Sequence, residues 1–421
     1  MVDPLSLMRW VHFAATALAA GTVLFLVVVA EPAFHTATPG ADWPEFRRSG
    51  RWLVWGGLLA AIASGTGWLV WLASDIYGAS LLNVCLHGGA WSVLTETRFG
   101  IVWLARLMLA LVLAVLLLWP ATRLLQLAAA ACLIGLPAFI GHAGASPDGA
   151  GHVQLISDIL HLLAAGAWIG ALPVLALLLH QARRAENNAW GGAAATAARR
   201  FSTVGILAVG TLAASGVINS WYLLAGPRDL IATDYGRLIL MKIGLFVAMI
   251  CIAVVNRFRL TPRLPFPSAM RALEKNCLAE IGLGLCVFLF VGALGTMPPT
   301  GHTHIPAVKL AADAAFVHIH SSEAMADVTV EPGRVGTARA RIFLLREDFS
   351  VLTAKDVTFV LTPQAASEAV PISHAAIRLP DGAWRVDGLE IGQPGTWIVK
   401  LIINAGAAAP IVLDAPIVID R

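Results

Sequence analysis

The chain has 421 residues, of which 58% are hydrophobic and only 13% charged, with a formal net charge of +3. That charged share is about half the ~25% of a soluble globular domain, and the mean hydropathy is +0.75, so a water-soluble fold is excluded. A charge so small, with basic residues scattered between apolar runs instead of gathered in a patch, also excludes nucleic acid as a partner.

In chain order, apolar runs near 8–30, 52–73, 99–119, 124–141, 154–180, 202–224, 238–258 and 278–297 predict eight transmembrane helices. Each is close to the ~17–25 residues that a bilayer core requires. The first run has only Arg9 before it and no small-residue cleavage site before Glu31, so it reads as a retained helix and not as a signal peptide. The first, third, fifth and seventh loops carry Arg47, Arg48, Arg51, Arg123, Arg183, Arg184, Arg199, Arg200, Arg257, Arg259, Arg263, Arg271 and Lys275, against only Arg98, Arg228 and Arg237 in the others. The positive-inside rule then makes the odd loops cytoplasmic and places both termini outside. Cys132, Cys251 and Cys286 fall inside apolar runs, and no disulfide framework or CxxC site is readable.

After Met297-Pro298-Pro299 the texture changes to short alternating stretches broken by Pro-Gly and Asp-Gly turns. Residues 298–306 read as a linker between a membrane domain, 1–297, and an extracytoplasmic all-β domain, 307–421. The expected architecture of the second is an immunoglobulin-like sandwich with Trp384 and Trp397 in its core.

Ionisable side chains are costly inside a bilayer, which makes them the first candidates for function. His12, His142, Asp158 and His161 fall in one predicted outer layer, and Asp158 and His161, spaced i, i+3, share a helix face. Cys85, His87 and His152 lie in outer segments that could close over this layer, and Met8 sits one turn before His12. Imidazole, thiolate and thioether together suit copper, Cu(I) or Cu(II), better than magnesium or calcium. The plainer alternative for any single intramembrane histidine is a hydrogen bond between helices. His35 and His180, on the predicted inner side, read as interfacial side chains. A second group follows the last helix: His302, His304, then His318 and His320, which would share one face of a strand, and Met325. Surface histidines explain that pair almost as well. No Walker A, phosphorylated-aspartate, GxSxG or HExxH motif is present, so no enzyme is expected.

Several strings in order resemble the CopD family of bacterial copper resistance and copper uptake membrane proteins. They are Thr97-Arg98-Phe99-Gly100 with Trp103 and Arg106, Gly141-His142-Ala143, Asp158 and His161 with Trp168 and Gly170, Arg200-Phe201-Ser202, Ser215-Gly216, Tyr235-Gly236-Arg237 with Lys242, and Asn256-Arg257. The resemblance covers residues 1–297. It implies a copper-handling protein of the inner membrane, served by a periplasmic copper-binding protein that hands over the ion. Two other classes stay open from the residues alone: a membrane cytochrome with haem held by two of the histidines, and a copper sensor or assembly factor that does not transport.

Overall fold

The computed structural model describes residues 4–36, 42–77, 80–140, 149–185, 188–224, 226–295, 297, 313–320, 324–345, 351–363, 371–406 and 409–420. The chain divides into two compact units, with the change-over between Gly301 and His302.

The first unit is helical. Helix α1 (Pro4–Leu24) continues through a π-helical stretch, Phe25–Ala30, into α2 (Glu31–Thr36), and α3 (Trp43–Tyr77) follows. Two short helices, α4 (Leu81–Leu86) and α5 (Gly89–Glu96), precede α6 (Arg98–Leu116) and α7 (Arg123–Gly135). Next, α8 (Gly149–Trp168) turns through Ile169–Ala171 into α9 (Leu172–Arg184), followed by α10 (Asn188–Leu223), α11 (Asp229–Ala232), α12 (Asp234–Val255) with its π-helical end Asn256–Leu260, and α13 (Pro267–Leu294). Among the described residues, seven helical stretches are long and apolar enough to cross a membrane, and the predicted fourth is the shorter Arg123–Phe139. Counted with the seven, it gives the eight expected. Gly292 lies against the Ser6 backbone and the Arg9 guanidinium donates to Gly295 O, so the first and last helices meet at one end of the bundle. That closure fits an even number of passes.

Local chemistry sets the helix starts. Thr97 Oγ1 accepts from Gly100 N, and Thr233 Oγ1 accepts from Gly236 N, each at 3.0 Å, which caps α6 and α12 in the same way. Glycine is required at both places, because a Cβ on Gly100 would stand 2.2 Å from Val93 O and one on Gly236 2.0 Å from Asp229 O. A similar contact joins the two halves of the bundle: a Cβ on Gly170 would lie 1.9 Å from Ala17 O. Here α1 crosses the Ile169–Ala171 turn backbone to backbone, the kind of approach that small residues permit in membranes.

The second unit is all-β. Its strands are β1 (Ala315–His320), β2 (Met325–Glu331), β3 (Gly336–Leu345), β4 (Asp356–Pro363), β5 (Ile372–Ala375), β6 (Ile377–Arg378), β7 (Trp384–Ile391), β8 (Gly395–Asn404) and β9 (Ile411–Ile419). They form a five-stranded sheet, β1-β2-β3-β7-β6, and a four-stranded sheet, β5-β4-β8-β9, with antiparallel neighbours throughout. Alternate residues such as Val328, Val330 and Ile342 from one sheet and Phe359, Leu361 and Leu401 from the other join one apolar core that includes Trp384 and Trp397. Pro416, which has no N–H to donate, stands in β9 at the edge of its sheet.

Candidate metal centre in the bundle

Two polar centres interrupt the apolar interior. The first is built on His12, only 2% exposed. Its Nε2 lies 2.7 Å from Arg106 Nη2 and its Nδ1 2.9 Å from Ala61 O. Guanidinium only donates and a carbonyl only accepts, so Nδ1 carries the hydrogen and Nε2 offers its lone pair to Arg106. The same guanidinium donates to Leu133 O at 2.8 Å and to Thr16 Oγ1 at 3.2 Å. Trp68 and Trp103 stand edge-on to the imidazole, with ring centroids 5.8 and 5.6 Å away, and Trp103 lies on the bare face of Gly65. This arrangement clasps α1, α3, α6 and α7 together. Both ring nitrogens of His12 are engaged, so a metal could reach Nε2 only by displacing Arg106.

The second centre lies on α8, α10 and α12. His161 Nδ1 is 2.9 Å from Ser215 Oγ, which in turn is 2.5 Å from Thr211 O. The single hydroxyl hydrogen goes to the carbonyl, so Ser215 accepts from Nδ1–H and the Nε2 lone pair of His161 is left open. One turn earlier, Asp158 Oδ1 accepts from Asn219 Nδ2 at 2.6 Å, while Asn219 Oδ1 is buried without a hydrogen-bond partner among the described residues. Lys242 and Tyr235 are near enough to interact electrostatically with Asp158, and Lys242 with His161. Asp158 and His161, one turn apart on α8, thus each find a partner on α10, and an imidazole nitrogen, a carboxylate and an amide oxygen keep acceptor capacity of the kind a borderline cation uses.

The two centres are variations on one plan. Ala63-Ser64-Gly65 on α3 matches Ala214-Ser215-Gly216 on α10, and the caps Thr97-x-x-Gly100 and Thr233-x-x-Gly236 are each followed, nine residues after the threonine, by a cation: Arg106 and Lys242. Ser64 Oγ sits 3.4 Å from His12 Nδ1, where Ser215 sits against His161. Sequence reasoning missed Arg106, Ser64, Ser215, Asn219 and Lys242 as site residues, although this repeated register was present in the string.

The remaining expected residues lie elsewhere. His142, His302 and His304 fall outside the described residues. Cys85 and His87 are exposed on and just after α4, with His87 Nδ1 3.1 Å from Asn83 O, and His152 is exposed in the first turn of α8. Met8 Sδ lies beside Gly67 on α3. His180 is 2.9 Å from Glu274 Oε1, and Arg183 pairs with the same carboxylate, which ties α9 to α13. His35 stands 4.0 Å from Glu31. In the β unit, exposed His318 pairs across the strands with Asp327 at 2.6 Å, but Met325, opposite His320 in the same register, is only 1% exposed. The His320 side chain is outside the described set. Among the described residues, no three His, Cys, Asp or Glu side chains gather at metal-binding separation. Of the expected layer, His12 is engaged by Arg106, while Asp158 and His161 find their partners on α10.

Comparisons with known proteins converge on one family. The profile described as copper resistance protein D matches residues 195–294, and that of the copper resistance protein D-like N-terminal domain matches residues 1–153. The chain is 29% identical over 307 residues to inner membrane protein YebZ of Escherichia coli (strain K12), covering 69% of this chain and 97% of that protein. Against copper resistance protein D of Pseudomonas syringae pv. tomato the identity is 30% over 259 residues, 58% of this chain and 81% of that protein. With copper transport protein CutJ of Bacillus subtilis (strain 168) it is 31% over 163 residues, 38% of this chain and 28% of that protein.

Proposed function

This chain belongs to the copper resistance protein D family, and from that premise we propose that it carries copper across the inner membrane, taking the ion at the centre formed by Asp158, His161 and Asn219. One observation carries the reading: Ser215 fixes the His161 imidazole so that its Nε2 lone pair is free, and one turn earlier on α8 Asp158 holds an amide whose own oxygen has no partner among the described residues. In a bilayer such groups are costly unless they serve a ligand. Arginine-rich loops on the opposite end of the bundle support an outward-facing position for this centre and a periplasmic position for the β unit. A periplasmic copper-binding protein would deliver the ion there, and exposed His318 with Asp327 offers a first contact.

The test is copper accumulation in cells producing the wild type, His161→Ala or Asp158→Asn, with the amount of folded protein checked by size exclusion. Both variants should lose accumulation while remaining folded. Wild-type accumulation in folded His161→Ala would remove the site. Haem ligation by two histidines finds less support, since His12 would have to release Arg106 to serve as an axial ligand.

A further inference from the structure

A cavity of about 240 Å³ lies among α8, α9, α10, α12 and α13, three of which also carry the outer centre. Trp168 on α8 is seven residues beyond His161, Val209 on α10 is six before Ser215, and Ile250 on α12 is eight beyond Lys242, and all three line it. At 1.5 Å per residue the cavity is about 10 Å deeper along the same three helices. Its walls are apolar apart from one corner, and its rim carries the exposed side chains of Ile206, Val254 and Phe258.

That corner is built. Asn276 Nδ2 donates to Asn256 Oδ1 at 2.6 Å, and Asn256 Nδ2 donates to Glu280 Oε2 at 2.9 Å. Glu280 is 2% exposed, lines the cavity, and leaves Oε1 buried without a partner among the described residues. It forms no ion pair there either: Arg257, on the same wall, is committed to Ser202 at 2.8 Å. Cys277, 1% exposed, precedes Glu280 by one turn on the same face of α13 and also lines the cavity. Asn256 opens the π-helical end of α12, a distortion often found where a helix presents groups to a ligand.

We propose that Cys277 Sγ and Glu280 Oε1 form a second, inner copper station on the path from the Asp158–His161 centre. A carboxylate without a counter-charge in the middle of a membrane helix calls for a cation, and a thiol beside it selects a late transition metal over sodium or calcium. This inference rests on the copper reading given above, and its test separates the two. Purified full-length protein in detergent is titrated with copper(I), held reduced by ascorbate, against a chromophoric chelator, and the bound metal is examined by X-ray absorption. The wild type should hold two ions per chain with a sulfur scatterer. Cys277→Ser and Glu280→Gln should each lower the stoichiometry to one, the former removing the sulfur signal, while His161→Ala should lose the other ion and keep the sulfur. Unchanged stoichiometry and scattering in Cys277→Ser and Glu280→Gln, with loss in His161→Ala, would overturn the inner station alone, leaving Glu280 as a carboxyl neutralised by a proton. Loss in the inner variants with none in His161→Ala would overturn the outer centre instead.

Discussion

Replacing Arg106 by methionine tests whether the first polar centre is a clasp. The guanidinium makes three hydrogen bonds, to Leu133 O, His12 Nε2 and Thr16 Oγ1. Its removal leaves the carbonyl and the imidazole as buried acceptors without donors, at about 1–3 kcal/mol each by soluble-protein experience. Measured values within bilayers average only ~0.6 kcal/mol per interhelical bond, and methionine also relieves the burial of a charge, worth several kcal/mol. These terms oppose one another in the net stability, whereas the coupling between the partners isolates the hydrogen bond itself. A double-mutant cycle with His12→Phe, which keeps a ring between Trp68 and Trp103, should give an Arg106–His12 coupling of about 1–2 kcal/mol, read from reversible unfolding in mixed micelles. Nitrogen-15 spectra of labelled histidine should show His12 protonated on Nδ1 and bare on Nε2. Additivity within ~0.3 kcal/mol, or the opposite tautomer, would refute the clasp.

Lys242→Gln removes the cation beside the outer centre; relief of about 1–2 kcal/mol of repulsion at an effective dielectric of ~20 should tighten copper binding there roughly tenfold in the chelator titration. Gly170→Val drives a side chain into the Ala17 carbonyl and should reduce the yield of monodisperse protein on size exclusion far more than Gly192→Val, where a Cβ meets nothing within 4 Å. Phe359→Ala empties a fully buried position in the sandwich and should cost that unit about 3–5 kcal/mol, seen as faster proteolysis after residue 312 with the bundle left intact. Asp327→Asn should leave the fold unaltered but slow copper uptake from a carrier protein if His318 receives the ion, and unaltered uptake would dismiss that role.

The bundle was legible because apolar runs of bilayer length have few other meanings, and the sandwich because strand alternation survives in stretches such as Val357, Phe359 and Leu361. Asp158 and His161 stood out as charges where charges are expensive. Their partners did not: Ser215 and Asn219 are ordinary helix residues until folding brings α10 against α8, 54 and 61 positions away. His12 was legible as buried but not as occupied, since only the folded register shows Arg106, 94 residues on, filling its lone pair. Met325 does share the strand phase of Asp327 and stands opposite His320, but at the start of β2 it is buried all the same, which alternation alone does not reveal.

The brevity of Arg123–Phe139 has a consequence for the surrounding lipid. Seventeen residues rise about 26 Å, short of a hydrocarbon layer about 30 Å thick, and acyl chains meet such a deficit by compressing locally. Leu133, which accepts from Arg106, is two residues past the midpoint of that stretch, so thinning of the layer shortens the distance from the clasp to both headgroup regions. The electric field across the membrane then falls over a shorter distance beside this half of the molecule, steepening the gradient that any translocated charge would feel.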